Sequence, residues 1–115
     1  MKKKIFCFDV DNTIFITKGR QYSRSKPIKE AISLINKLYS EGHCIKILTS
    51  RYMGRNNDNI KKTYKQGYQF THKQLKSWGL KFHKLYMGKP SFDFFVDDRS
   101  FGFKKNWYKK FYSNN

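Results

Sequence analysis

The sequence predicts an α/β fold built on parallel strands. Three observations carry that prediction: continuous apolar runs of strand length, a helical repeat between the first two, and polar or acidic residues closing them. Residues 5–10 read Ile-Phe-Cys-Phe-Asp-Val, a buried-strand pattern. Pro27 sits at the first turn of a helix, where a missing N–H costs nothing. Ile28, Ala31, Ile32, Leu34, Ile35, Leu38 and Tyr39 recur at helical spacing, and Gly42 ends the element. Residues 44–48, Cys-Ile-Lys-Ile-Leu, make the second strand. Strand, helix and strand in about forty-five residues form a βαβ unit, with parallel pairing and a right-handed crossover.

Residues 52–62, rich in Asn and Arg, read as a loop over the carboxyl edge of the sheet. Thr71 caps a helix that runs through Trp78, and Gly79 stops it. Residues 82–87 and 92–96 give a third and a fourth strand, and the aromatic, lysine-rich tail from Phe101 is expected to form a last helix on the sheet. A chain of 115 residues makes one domain, residues 1–115, since a second core would not fit. Its apolar fraction is a low 38%, but aromatics at 18% restore the area a core needs.

Charge is extreme: 25 Lys+Arg against 8 Asp+Glu give +17. That balance serves solubility, or attraction to phosphates, nucleic acid or acidic membranes, and says nothing of the fold. The lysines are spread along the chain, which favours a compositional origin over a nucleic-acid footprint. Aromatics among the lysines, at Tyr64, Tyr68 and in 107–112, keep nucleic acid as the alternative partner. No apolar run approaches the ~18–20 residues of a membrane span. Asp9 cuts the first apolar stretch short, so no secretory leader is expected. Cys7 and Cys44 lie in strand runs and are expected to act as small hydrophobes. Two cysteines are too few for a disulfide scaffold or a zinc module, and a cytoplasmic setting is expected.

With so few acids, their placement is informative. Asp9 and Asp11 close the first strand, and Asp97 and Asp98 close the fourth. In a parallel sheet these ends share a side, where ligands bind near a switch in strand order. Carboxylates gathered there would repel one another in a low effective dielectric, and a divalent cation removes that penalty. Oxygen-only ligands with room for water and substrate suit Mg²⁺. A lone Asp at a strand end is usually a turn former. Two acid pairs closing two strands, with Thr49 closing another, weigh against that reading.

Asp9-Val-Asp11-Asn-Thr13 after a hydrophobic strand resembles Asp-x-Asp-x-Thr, the first motif of the haloacid dehalogenase-like (HAD) phosphohydrolases. Leu48-Thr49 resembles their second motif, Lys89 in Gly88-Lys-Pro90 the lysine of the third, and Phe94-Phe-Val-Asp97-Asp98 the fourth. All four stand in the family's order across residues 5–98, and the chain is most similar to very small bacterial members linked to capsule or surface-sugar biosynthesis. Asn12 stands where many members have Gly; both tolerate unusual backbone angles.

The resemblance implies a Rossmann-like three-layer sandwich with a mainly parallel central sheet and no cap domain. It also implies a Mg²⁺-dependent phosphomonoester hydrolase that acts through an aspartyl-phosphate, on a sugar phosphate or related metabolite. Asp9 would be the nucleophile, and Asp11 the acid and then the base. Thr49, with Ser50, and Lys89 would bind the substrate phosphate. Asp9, Asp11, Asp97 and Asp98 would hold the metal, with the direct ligand of the last pair open. Thr13 would brace the motif loop, and Asp93 is given a structural role. Arg51 is open between a substrate anion and the surface. His43, His72 and His83 are expected at the surface or at strand edges.

About forty residues separate Asp9 from Thr49, and again Thr49 from Lys89, too few to add a cap of ~50 residues or more. An open site suits a large or polymeric substrate, or is closed by a neighbouring subunit of a homo-oligomer. Loops 18–26 and 52–62 are candidates for selecting substrate. Two other readings are a nucleic-acid-binding protein or polynucleotide-end phosphatase, and a non-catalytic protein that keeps only the fold. The complete set of six motif residues stands against the latter.

Overall fold

A computed structural model describes residues 2–109. Its elements are β1 (Ile5–Phe8), β2 (Phe15–Ile16), β3 (Lys26–Pro27), α1 (Lys29–Ser40), β4 (Cys44–Thr49), α2 (Ile60–Ser77) and β5 (Lys84–Met87). β1, β4 and β5 form one parallel sheet in that order, with Phe6 opposite Ile45 and Ile47 opposite Leu85. The α/β class, the parallel pairing and the first βαβ unit are therefore as the sequence predicts. β2 and β3 form a two-residue antiparallel ribbon that returns the chain to α1.

The strand order advances in one direction, so right-handed crossovers bring both helices to one face. Ile32 and Ile35 of α1 and Leu75 of α2 are buried there with Ile45, Ile47, Leu85 and Met87. Val10, Ile14 and Phe15, all fully buried, close the end of this core just past β1. The opposite face carries Ile5, Cys7, Lys46, Lys84 and Tyr86, and Lys46 and Lys84 both lie over the Tyr86 ring. Among the described residues the domain has two layers.

Sequence reasoning misplaced several features. Residues 92–96 form no strand: Phe94, Phe95 and Val96 are 63%, 55% and 47% exposed. A strand on the far edge of β1 needs a layer over the outer face to bury its second side, and no described helix supplies one. α2 begins at Ile60, inside the expected loop, because Asn59 caps it by accepting from Lys62 N at 3.0 Å. Thr63, Gly67, Thr71 and Leu75 then make a buried stripe at every fourth residue. Thr71 is thus mid-helix, not a cap, and its buried hydroxyl finds no hydrogen-bond partner. Gly67 has a purpose: a Cβ there would overlap the ring of Tyr52.

His43 is buried, not at the surface: its Nδ1 accepts from Lys4 N at 3.0 Å. His83 does hold a strand edge, its Nδ1 accepting from Ile45 N at 2.9 Å. His72 is half-buried and stacks on Tyr68. Cys7 is exposed on the uncovered face, contrary to a core role. The helix expected from Phe101 does not form over the described tail: residues 101–106 are turns and irregular chain, followed by one 3-10 turn at Trp107–Lys109, and residues 110–115 lie outside the described residues. No described helix is long and apolar enough to cross a membrane.

Candidate functional site

The site grows from a tight turn just past β1. Val10 O accepts from both Ile14 N (2.9 Å) and Phe15 N (3.1 Å), which folds residues 10–15 back on the strand. The turn needs a left-handed residue, and Asn12 supplies it at φ 62°. Its Oδ1 also accepts from Thr17 N at 3.2 Å, so the polar side chain contributes what Gly could not. Asp9 and Asp11 are thereby fixed on either side of buried Val10.

Asp9 faces Lys89, whose Nζ lies 3.6 Å from Asp9 Oδ1. Lys89 is aimed by its backbone: its N–H donates to Thr49 O at 3.2 Å, extending the pairing of β4 and β5 by one residue. Gly88 makes that turn at φ +100°, where a side chain would be strained. The ammonium also rests 5.3 Å and 5.4 Å from the ring centres of Phe92 and Phe95. Thr13 Oγ1 donates to Asp9 Oδ2 at 3.4 Å, the bracing role expected of it. Burial pushes the Asp9 carboxyl above its ordinary pKa, and Lys89 only partly opposes this.

A cavity of about 290 Å³ opens beside this pair, lined by Asp9, Lys89, Asp97 and Arg99 with Phe95 and Leu48 as apolar walls. Asp97 accepts from Arg99 N at 2.9 Å, which holds its carboxyl below the usual range. Asp98 is exposed and does not line the cavity. Asp11 points elsewhere. Its two oxygens accept from Arg51 Nε (2.8 Å) and NH2 (2.7 Å), and Thr17 Oγ1 donates to Oδ1 at 2.6 Å. Asp9 and Asp97 therefore share the cavity, whereas Asp11 and Asp98 lie apart from it. Among the described residues no three His, Cys, Asp or Glu side chains gather as metal ligands.

Thr49 is buried at the end of β4 and its Oγ1 accepts from Arg51 N at 3.1 Å. Ser50, half-buried, accepts from Met53 N through its carbonyl. Arg51, which the sequence left open between a ligand and the surface, is in the interior, its side chain wholly inaccessible. In a chain with 25 basic residues a single buried one has no compositional signal. Its immediate succession to Thr49 and Ser50 at a strand end was the only hint. Gln74 and Thr17, which complete its surroundings, gave none.

The two candidate selection loops meet each other, and neither lines the cavity. The Tyr22 and Tyr52 rings lie 5.1 Å apart, and Arg20 lies against Gly54. Asp58 Oδ1 accepts from Ser91 N at 3.4 Å and joins the second loop to the Lys89 segment.

No family model matches the chain, and no curated protein matches it in sequence. A solved structure does resemble it: the crystal structure of an MCSG target from Vibrio cholerae, with a TM-score of 0.78. The two chains are 20% identical, over 97% of this chain and 99% of that one. At that identity the likeness concerns the fold alone. The described residues thus form a small α/β domain with a three-stranded parallel sheet and two helices, of a kind already seen in Vibrio cholerae.

Proposed function

We propose that the protein is a phosphomonoester hydrolase of the haloacid dehalogenase-like type that uses Mg²⁺ and forms an aspartyl-phosphate on Asp9. One observation carries the reading: the Asp9 carboxylate at the tip of β1 is paired with Lys89 beside a cavity that Asp97 also lines. Hydrolysis needs a nucleophilic oxygen, a cation beside it, and space for a phosphoryl group. All three are supported by that cluster.

The donor chemistry fits Mg²⁺. Asp9 and Asp97 bring hard oxygens to one cavity, and one or two carboxylates with water is how this ion is commonly held. When bound, Mg²⁺ would neutralise charge on the phosphoryl oxygens. The chain's own groups account for the rest. An Asp9 oxygen attacks phosphorus while the ester P–O bond breaks, its electron pair leaving on the alcohol oxygen. Asp11 supplies that oxygen's proton in this reading, which requires its carboxyl to turn from Arg51 toward the cavity on substrate binding, and Lys89 offsets the anionic approach. Water then attacks the phosphorus of the aspartyl-phosphate and gives its proton to Asp11. Phosphate departs and Asp9 is regenerated.

A sugar phosphate or related small metabolite is the proposed substrate, drawn from the resemblance in residues 5–98. The Rossmann-like three-layer arrangement belongs to the same proposal and requires a further layer over the outer face. A polynucleotide-end phosphatase is the second reading, favoured by Lys46 and Lys84 around the Tyr86 ring on that face.

The test is a panel of phosphomonoesters, oligonucleotide ends included, assayed with and without Mg²⁺ beside Asp9→Asn. Wild type is expected to hydrolyse at least one in a Mg²⁺-dependent manner, and the variant to lose roughly a thousandfold or more. Equal rates in the two proteins remove Asp9 as nucleophile.

A further inference from the structure

The cavity beside Asp9 has few side chains that can hold an anion. Among the residues that line it, Lys89, Arg99 and Ser100 carry the cations and the hydroxyl. Thr49 and Ser50, the phosphate donors that the family resemblance implies, do not line it. Thr49 is buried, and its Oγ1 accepts from Arg51 N at 3.1 Å. Lys89 is partly committed, since its ammonium already faces Asp9 at 3.6 Å. Arg99 is not. It is exposed, and among the described residues it forms no ion pair. A turn fixes where it stands. Ser100 N donates to Asp97 O at 3.1 Å, and Arg99 N donates to Asp97 Oδ1 at 2.9 Å. The backbone of Arg99 thus serves Asp97 and leaves the guanidinium unspent. One turn brings a carboxylate, a guanidinium and a hydroxyl to the same cavity.

We propose that Arg99, with Ser100 beside it, grips the phosphoryl group in this cavity, in place of Thr49 and Ser50. The inference rests on the hydrolase reading above and names the anion ligand of that same site. A phosphoryl group presents several oxygens apart from the bond that breaks. Lys89 meets them as a point charge, whereas the planar fork of an arginine takes two at once and fixes how the group is turned toward Asp9. Charge balance points the same way. With both carboxyls ionised, Asp9 and Asp97 against Lys89 and Arg99 leave the cavity neutral. A Mg²⁺ ion then just offsets a phosphomonoester dianion, and without Arg99 the filled cavity would carry an uncompensated negative charge. Exposure also helps, because the guanidinium bears no burial cost before the anion arrives.

The test is binding of inorganic phosphate, measured by calorimetry with Mg²⁺ present and enough salt to screen distant surface charge. Arg99→Gln is expected to weaken binding at least about tenfold, and Arg99→Lys by a smaller factor. Lys37→Gln removes the same charge at the end of α1 that leads into β4, outside the cavity, and should change affinity by less than about twofold. Thr49→Val, or Ser50→Ala where the buried change prevents folding, should stay within about threefold. Arg99 lies in an exposed turn, so its variants are expected to fold, which thermal melting checks. An equal loss in Arg99→Gln and Lys37→Gln overturns the proposal, because it makes the effect one of net charge. So does a loss in Thr49→Val or Ser50→Ala as large as that in Arg99→Gln, and so does a wild type that binds no phosphate. The ester panel separates the two levels. Asp9-dependent turnover with phosphate affinity unchanged in Arg99→Gln leaves the hydrolase reading standing and removes the role of Arg99. Weaker phosphate binding in Arg99→Gln, with no ester turned over by wild type, keeps the grip and removes the hydrolase reading.

Discussion

β4 and residues 92–96 look alike on paper and differ in the fold. Both are short apolar runs that end in a polar group, Thr49 in one and the Asp97-Asp98 pair in the other. In β4, Ile45 and Ile47 are fully buried and parallel partners flank it on both sides. In 92–96 nearly half or more of Phe94, Phe95 and Val96 meets solvent. Composition is therefore not what makes a strand. β4 has β1 and β5 to satisfy its backbone and two helices to cover its inner face; among the described residues, 92–96 join no sheet and lie under no covering layer.

The strongest way to break this contrast is a matched pair of truncations. Ile47→Ala should cost about 3 kcal/mol or more, in the 2–5 kcal/mol range for large-to-small core changes, while Val96→Ala should stay under about 1 kcal/mol. Urea titration measures both. A comparable loss for Val96→Ala would mean that the segment packs on β1 in solution, and the contrast would fall.

A second probe lies on the well-packed side. Gly67→Ala places a methyl group against the Tyr52 ring, in a segment where Tyr52 already holds φ 70°. Helix propensity favours Ala by about 1 kcal/mol, but overpacking commonly costs 1–3 kcal/mol. The expected net is destabilisation of about 1 kcal/mol, measured by thermal melting. A more stable variant would show that the ring yields freely.

The smallest effect concerns the border between the two regions, at Asp9. Burial raises its pKa above the unfolded value, so folding favours the protonated form. The carboxyl's contribution is most favourable at pH below the ordinary carboxylate range and is lost as pH rises through the raised pKa. Asp9→Asn should therefore gain a few degrees in Tm at neutral pH without Mg²⁺, and the gain should shrink toward pH 4. A lower Tm at neutral pH would mean that the Lys89 pair outweighs burial.

How much of this was legible follows from the same physics. β1, α1 and β4 were readable because each bears its own periodic pattern and adjoins the next in sequence. The start of α2 was not, because its stripe is built from Thr63, Gly67 and Thr71, which no apolar count detects. Asn59 was the available signal, a cap residue three before a backbone N–H it satisfies. At the site, Asp9, Lys89 and Asp97 do meet at one cavity, as the motif order suggested. Asp11 turning inward to Arg51 was not legible, since sequence carries no sign of which way a side chain faces at a turn.

The Asp11–Arg51 fork has a bearing on how such a site persists. Its cation belongs to the interior and its anion to the turn after β1, so neither can be exchanged alone without stranding the other in a poorly solvated place. Loss of Asp11 would therefore carry a folding penalty that loss of Asp9 does not, and the two acids of one turn are exposed to very different structural constraint.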